Sequence, residues 1–569
     1  MRLRWHRITS VVAASLAVVA AVHPASARPG TGRAGGVARA VAVAVADRVE
    51  DVAPTTVATI LDVSDWHGQL EPVPMTGAPG AWRQRYGGAA YLSSYFKQRA
   101  ALAPNEPFIV TAGDEVGATQ PISNLLGDRP AIEVMNDMGF DANTLGNHNF
   151  DSGVDRMEAL ARAADFPYVV SNLTHSGTGR APEWVQESIL WDVDGVKIGV
   201  TGAINEDAPN LVSRGRMGDL VVGGAAANIN RVAADLRARG VNTVVALVHV
   251  GANFVPGVTG PTGPLIDLAG ELRGVDLLIG DHKHAIVNQP IRDADGKPMW
   301  VVQNYHKGIS FAEVRMVLDR RTGHTLSVSG TTFLADTASI EPDPVIQTKI
   351  DAWKAELGSR LNEVVGHSRT EIPHTLPIAE SNQGNLVTDA MREHAGTDFA
   401  MINSGALRAA LTDPSDQTPD GLHTIRMRNV YDALPFGDLV TTVEVTGSEL
   451  KRLLENSVSS MPREDGRFAQ VSGLRFGYHT LQQANSRVAW VTRPDGTPVD
   501  LSDASRYTVA MNDFMAMGGD SYPDLARRAD FGDPLTGLLT AHIAAGTPVS
   551  PTGPAHPVMV PETRIFRLD

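Results

Sequence analysis

The sequence predicts two successive α/β regions behind an N-terminal export segment, and three observations carry that expectation. From Thr55 onward, short strands mostly rich in β-branched residues alternate with helical stretches. The break Glu341-Pro342-Asp343-Pro344 then precedes a long helical stretch. A second α/β pattern runs from about Val365 to the end. With 569 residues the chain is larger than one ordinary hydrophobic core, so two or more domains are expected.

Residues 1–27 read as a signal peptide. Arg2, Arg4 and Arg7 form a positive start, residues 8–22 are mostly apolar, and Ala25-Ser26-Ala27 offers a small-residue cleavage site. The apolar run is short of the roughly 20 residues that a membrane span needs, and no second span follows. Residues 28–54, rich in Ala, Arg, Gly and Val, read as a flexible lead-in. The chain has no cysteine, which excludes a disulfide framework and a lipid-modified N-terminal cysteine.

Strands are expected over 57–63, 108–112, 142–145, 168–171, 196–202, 243–248 and 275–279, with helices such as 224–238 between them. Over 300–333 consecutive strands without helices suggest that the sheet is completed by antiparallel pieces. The helical stretch over 345–364 carries Ile350, Trp353, Leu357 and Leu361 on its apolar positions and is placed to bridge two domains. These readings divide the chain into residues 55–340, a linker at 341–364, and 365–569.

Hydrophobic residues make up 43% of the chain and charged residues 20%, the composition of a soluble globular protein. The net charge of −15 and the lack of a dense basic run beyond the N-terminus argue against a nucleic-acid polymer as partner. Loss of the signal peptide removes three arginines and no acid, which makes the mature chain more acidic still. Small anionic substrates remain compatible, because bound cations invert the field inside a site.

Candidate metal ligands recur at the C-terminal ends of the expected strands. Asp65 and His67 follow the first, Asp114 follows the second in Gly113-Asp114, and Asn147 and His148 follow the third in Gly146-Asn147-His148-Asn149-Phe150-Asp151. His249 ends the strand over 243–248, and His282 and His284 follow the last. Asp, His and Asn side chains suit borderline divalent cations, and a paired site needs one carboxylate able to bridge both. Each piece alone is common, but five in order at strand ends, where α/β sheets bind ligands, point to convergence.

The order Asp-x-His, Gly-Asp, Gly-Asn-His-x-x-Asp, His, His-x-His resembles the calcineurin-like metallophosphoesterases, and in particular their secreted 5′-nucleotidase branch, from about Thr55 to the C-terminus. The resemblance implies a four-layer metallophosphoesterase sandwich, a bridging helix, and a smaller α/β substrate-binding domain. It implies two divalent ions, Zn²⁺, Mn²⁺ or similar. Asp65, His67, Asp114 and His284 would hold one, and Asp114, Asn147, His249 and His282 the other. His148 would stand beside the phosphate with Asp151 orienting its ring, while the ions acidify a water for in-line attack on phosphorus. The chain departs from the family at Ser64, where Asn is usual, at Asn149, where Glu is usual, and at Asp281, where Gly is usual.

In the second region an Arg at a loop end suits a phosphate, two loop aromatics suit a planar base, and a carboxylate beside Gly-Gly suits ribose hydroxyls. A turn with a packed Phe, a core Phe and a surface cation are the plainer readings of the same residues. The order of Asn403 to Arg408, Leu434-Pro435-Phe436-Gly437-Asp438 and Phe514 to Asp520 is similar to the C-terminal domain of secreted 5′-nucleotidases. That likeness implies base stacking by Phe436 and Phe514, ribose binding by Asp520, and substrate contact by Arg408 and Asn403. Pro377 stands where the family commonly has a phosphate-binding Arg.

The expected activity is hydrolysis of nucleoside 5′-monophosphates outside the cytoplasm. A 2′,3′-cyclic nucleotide phosphodiesterase, a UDP-sugar hydrolase and a thiosulfohydrolase use the same kind of centre. An exported nucleotide-binding protein without chemistry is the non-enzymatic alternative.

Overall fold

Inward-facing aliphatic residues on alternate strand positions build the first half of the fold. Ala58, Ile60, Val110 and Ala112 face Ile198, Val200, Val245, Leu247, Leu277 and Ile279 in one buried layer. Their neighbours point the other way: Leu61 and Val63 pack with helix residues, and so do Val244, Ala246, Val248 and Leu278. A strand's side chains alternate between faces, so apolar residues on both faces require a cover on each side.

The computed structural model describes residues 54–74, 84–212, 215–254, 259–283, 285–374, 378–546, 549 and 563–569. The expected signal peptide and lead-in lie outside these residues. Pro54–Asp569 forms one compact unit. Its first sheet has five strands in the order Thr325–Leu334, Ser310–Asp319, Thr55–Asp62, Phe108–Val110, Phe140–Ala142. The second has six: Val287–Arg292, Pro298–Gln303, Leu277–Gly280, Thr243–Val248, Val196–Ala203, Ser188–Val193. Helices Ala89–Ala100, Arg129–Met138 and Val154–Ala163 cover one outer face, and Ala225–Ala238 and Pro264–Glu271 the other. The result is a helix–sheet–sheet–helix sandwich, the expected four layers.

Two expectations are corrected in detail. The strand expected over 142–145 ends at Ala142, because Asn143 turns its side-chain oxygen onto the Gly113 amide at 2.9 Å and bridges to Tyr168. The strands over 300–333 complete two sheets rather than one. Pro298–Gln303 joins the second sheet beside Leu277–Gly280, while the hairpin of Ser310–Asp319 and Thr325–Leu334 joins the first.

Helix Pro344–Leu361 links the halves. It starts at an Asp-Pro pair, with the Asp343 carboxylate accepting from the Val345 amide at 3.0 Å and Pro344 in the first turn. Ile346, Ile350 and Leu361 are buried in the first core, with Trp353 and Leu357 packed against it. The second half is a five-stranded sheet in the order Ala469–Ser472, Phe399–Asn403, Arg506–Asn512, Leu439–Thr446, Ala529–Pro534. Ala400, Ile402 and Ala510 pack under helices Asn382–Ala395 and Leu535–Gly546. Phe399, Met401, Val509 and Met511 pack against Gly447–Ser457 on the opposite face. Glu71 of the first half pairs with Arg428 of the second at 2.7 Å and with Lys354 of the linking helix at 2.6 Å. The Asn124 side chain donates to the Pro435 carbonyl at 3.1 Å beside it, so Pro435 and Phe436 are held close to the first half.

Candidate active site

The loops that carry the candidate ligands leave the strand ends in an unusual backbone conformation. Asp65 (φ 39°), His67 (φ 48°), Asp114 (φ 49°) and His282 (φ 81°) all lie in the left-handed region. Residues with a Cβ occupy this region at a cost, and such strain gathers at functional sites. Two glycines permit the close packing that results. A Cβ on Gly113 would stand 2.6 Å from the Gly146 amide and 2.8 Å from His249 Nδ1, and one on Gly146 would collide with the Asp114 carboxylate.

The loops converge on Asp114. Its Oδ2 lies 2.9 Å from His249 Nε2, and its Oδ1 accepts from the His148 amide at 2.8 Å. His282 Nδ1 sits 3.2 Å from His249 Nε2, so two imidazole edges meet in one place. His67 and His249 direct Nδ1 at the carbonyls of Gly117 (2.8 Å) and Ala112 (2.9 Å), which leaves Nε2 of each ring facing the centre. Three overlapping sets have donor atoms close enough to share a cation: Asp65, His67 and Asp114; Asp114, His249 and His282; and Asp65, His249 and Asp281. Asn147 Oδ1 is buried with no hydrogen-bond partner beside them. An orphaned buried oxygen within a carboxylate and imidazole set fits divalent cation chemistry. His284 lies outside the described residues.

The electrostatics agree with that chemistry. Burial pushes His67 and His282 well below the usual histidine range, so both rings are neutral with a lone pair to give. Burial also pushes Asp65 upward, against the pull of His249. For Asp114 burial acts upward too, but the charges of His249 and His148 outweigh it and hold the carboxylate below its usual range. His249, despite its burial, is raised to about 9 by Asp114. The proton it shares with Asp114 is the charge that a cation would replace.

His148 Nδ1 donates to the Asp151 carboxylate at 3.0 Å, which orients the ring. Burial opposes its charged form, yet Asp151 and Asp114 together raise its pKa above the ordinary value. Asn149 fills the place of the usual Glu with a hydrogen-bonding role. Its Oδ1 accepts from the amides of Gly146 (2.7 Å) and Asp114 (3.1 Å), and its Nδ2 donates to Glu115 at 2.8 Å. Glu115, buried and raised to about 7 by that burial, also accepts from the Tyr168 hydroxyl at 2.6 Å. Glu115 was not singled out in the sequence, because its partners Asn149 and Tyr168 are distant along the chain.

The second half brings two of its predicted residues to this centre. The Phe436 ring stacks on His148 with centroids 5.3 Å apart and planes at 11°, and the Arg408 guanidinium lies 5.7 Å from the Phe436 centroid. Arg408 sits in the field of Asp114, Asp151, Asp65 and Asp520, although burial lowers its pKa overall. The other three are grouped by contacts among themselves and their neighbours. Asn403 Nδ2 donates to Asp520 at 2.8 Å, and Phe514 packs over Gly519, where an added Cβ would meet its ring at 2.5 Å. Asn512, which the sequence reading passed over, orients Asn403 by donating to its Oδ1 at 3.1 Å and to Asp438 at 2.8 Å. Lys307 was passed over as well: it is left-handed (φ 56°), and its amide donates to the Asp65 carbonyl at 2.9 Å. Pro377 lies outside the described residues.

Residues 364–527 match the family model described as 5′-nucleotidase, C-terminal domain, and residues 88–299 match that of bacterial capsule synthesis protein PGA_cap. The chain is 30% identical over 521 residues to cell wall protein Lmo0130 of Listeria monocytogenes, across 83% of this chain and 64% of that one. It is 28% identical over 532 residues to human 5′-nucleotidase, across 85% of this chain and 88% of that one. The chain spans 64% of the length of Lmo0130, 37% of endonuclease YhcR and 28% of trifunctional nucleotide phosphoesterase YfkN, the latter two from Bacillus subtilis. In fold it is similar to a 5′-nucleotidase precursor from Thermus thermophilus, with a TM-score of 0.78 at 24% identity, over 90% of this chain and 100% of that one.

Proposed function

We propose that the chain is a member of the 5′-nucleotidase family, an exported phosphohydrolase that releases phosphate from nucleoside 5′-monophosphates, a reading supported by the match of residues 364–527 to the 5′-nucleotidase C-terminal domain and by the likeness in fold to a 5′-nucleotidase precursor. The observation that carries this reading is the stack of Arg408 and Phe436 from one half upon His148 of the other, at the rim of the donor set around Asp114.

Asp65, His67, Asp114 and His284 would hold one divalent ion, and Asp114, Asn147, His249 and His282 a second, of the Zn²⁺ or Mn²⁺ kind. Such ions neutralise phosphate charge and acidify water, so that a nucleophile is available near neutral pH. The residues supply the rest. His148, kept protonated to higher pH by Asp151, donates to a phosphoryl oxygen or to the leaving ribose oxygen. Arg408 pairs with phosphate, Phe436 and Phe514 take the base, and Asn403 and Asp520 take the ribose. With the metals in residues 55–340 and the nucleoside pocket in 365–569, turnover requires the halves to part and close about the 341–364 linker. The signal-like residues 1–27 and the likeness to a protein named for the cell wall support a place outside the cytoplasm or in the envelope. Among the described residues no helix is long and apolar enough to cross a membrane.

Phosphate release from a panel of AMP, other 5′-monophosphates, 2′,3′-cyclic nucleotides, UDP-sugars and thiosulfate esters tests the reading. Turnover of 5′-monophosphates above the rest is expected. Pro377, in place of a phosphate-binding Arg, keeps a cyclic nucleotide, a sugar nucleotide or a thiosulfate ester open as the substrate, and a preference for one of those would replace the first reading.

The ribose contact has a pH signature. Burial raises Asp520 to about 6, with the charge of Asp465 adding to the effect. Below that pH the carboxyl carries a proton and loses part of its capacity to accept from ribose hydroxyls. The KM for AMP is therefore expected to rise as pH falls through 6, with kcat unaffected by this group. A flat KM between pH 5 and 7 would remove Asp520 from the ribose site.

A further inference from the structure

Resting on the metal-centre reading, we propose that Asp281 is an additional direct ligand, a third carboxylate that shifts the centre's preference from Zn²⁺ toward harder cations such as Mn²⁺. The family resemblance calls for two donor sets, and the described residues hold a third, composed of Asp65, His249 and Asp281. Asp281 is fully buried, at 0% exposure, directly after strand Leu277–Gly280. Its carboxylate is oriented toward the centre from both sides. Oδ2 accepts from the Asp65 amide at 2.8 Å and Oδ1 from the His282 amide at 3.1 Å. The His282 amide in turn lies 3.2 Å from Asp65 Oδ1. Each Asp281 oxygen keeps a second lone pair after these contacts, and a Gly at this position would supply none.

A buried carboxylate is costly unless it is neutralised, hydrogen-bonded or paired with a cation. Asp281 shares this buried space with the Asp65 carboxylate and His249, and a cation bound among the three would balance both acids. Oxygen donors suit Mn²⁺ and Mg²⁺ more than Zn²⁺, while imidazole suits Zn²⁺. A third carboxylate therefore biases the competition between them.

The test is metal competition on the full chain. Protein stripped with chelator is dialysed against mixtures of Mn²⁺ and Zn²⁺, and bound metal is measured by elemental mass spectrometry for wild type, Asp281→Asn and Asp281→Gly. Asp281→Asn keeps a hydrogen-bond acceptor of the same shape for the Asp65 amide but loses the charge, and circular dichroism checks its fold. The expected result is that Mn²⁺ relative to Zn²⁺ falls about tenfold or more in both variants, the low end of what metal-shell changes produce. Unchanged selectivity in Asp281→Asn, whether or not Asp281→Gly changes, overturns the proposal by reducing Asp281 to a backbone anchor. Wild type that binds no divalent ion overturns the metal centre itself, an outcome distinct from the first.

Discussion

Replacing Asp114 with Asn is expected to lower phosphate release from AMP by at least ~10³-fold, the scale of losing one preorganised electrostatic group, and to reduce bound metal with it. Asp114 belongs to two donor sets, meets His249 at 2.9 Å and accepts from the His148 amide at 2.8 Å. An Asn of the same shape keeps the amide contact but removes the charge that opposes burial for its histidine neighbours. Elemental analysis alongside kinetics separates the two losses, and full metal occupancy with a kcat near that of wild type would count against Asp114 as the bridge. The chelated protein carries a second signature. Asp114 raises His249 from its ordinary 6.5 to about 9, so the pair's contribution to stability is complete below pH 6.5 and is lost as pH rises through 9. In metal-free Asp114→Asn that loss between pH 6.5 and 9 is expected to flatten, as read by thermal unfolding across the range.

His148→Ala should act on chemistry and not on metal. His148 belongs to none of the three donor sets, and its ring is held by Asp151 at 3.0 Å and covered by Phe436. A fall in kcat of about 10²–10³-fold is expected from losing a positioned proton donor, with bound metal equal to wild type. Asp151→Asn gives the finer test. The raised pKa of His148 depends on Asp151 and Asp114, so removal of one carboxylate lets the ring lose its proton at lower pH. The alkaline limb of the kcat profile should move downward in pH. An unmoved limb assigns that limb to another group.

The candidate donor set was legible in the sequence because each of its residues lies next to a strand end that hydrophobic periodicity marks. Asp65, Asp114 and His249 follow strands Thr55–Asp62, Phe108–Val110 and Thr243–Val248 within a few residues. Parallel strands present their C-terminal ends along one edge, so locating the strands nearly locates the ligands. Asp281 stood out in the sequence as an unusual residue before a candidate ligand histidine. Its contact with the Asp65 amide joins loops more than two hundred positions apart, and only packing of the two sheets brings them together. Asn149 was readable as a tolerated change, whereas Glu115 as the carboxylate beneath it was not, since nothing local in Gly113-Asp114-Glu115 indicates Tyr168 as its partner.

Local order along the chain determined the two α/β regions, the linking helix with its Asp343-Pro344 start, and the loops that carry Asp65, His67, Asp114, Asn147, His148, His249 and His282. These follow from periodicity and turn chemistry, which act over a few residues. The tertiary structure decided what faces what. It set the left-handed backbone of Asp65, His67, Asp114 and His282, Asp281 against the Asp65 loop, and Phe436 on His148. Those choices depend on how two separately built sheets and a second half pack, and the free energy of packing is shared among residues that no short stretch of sequence contains.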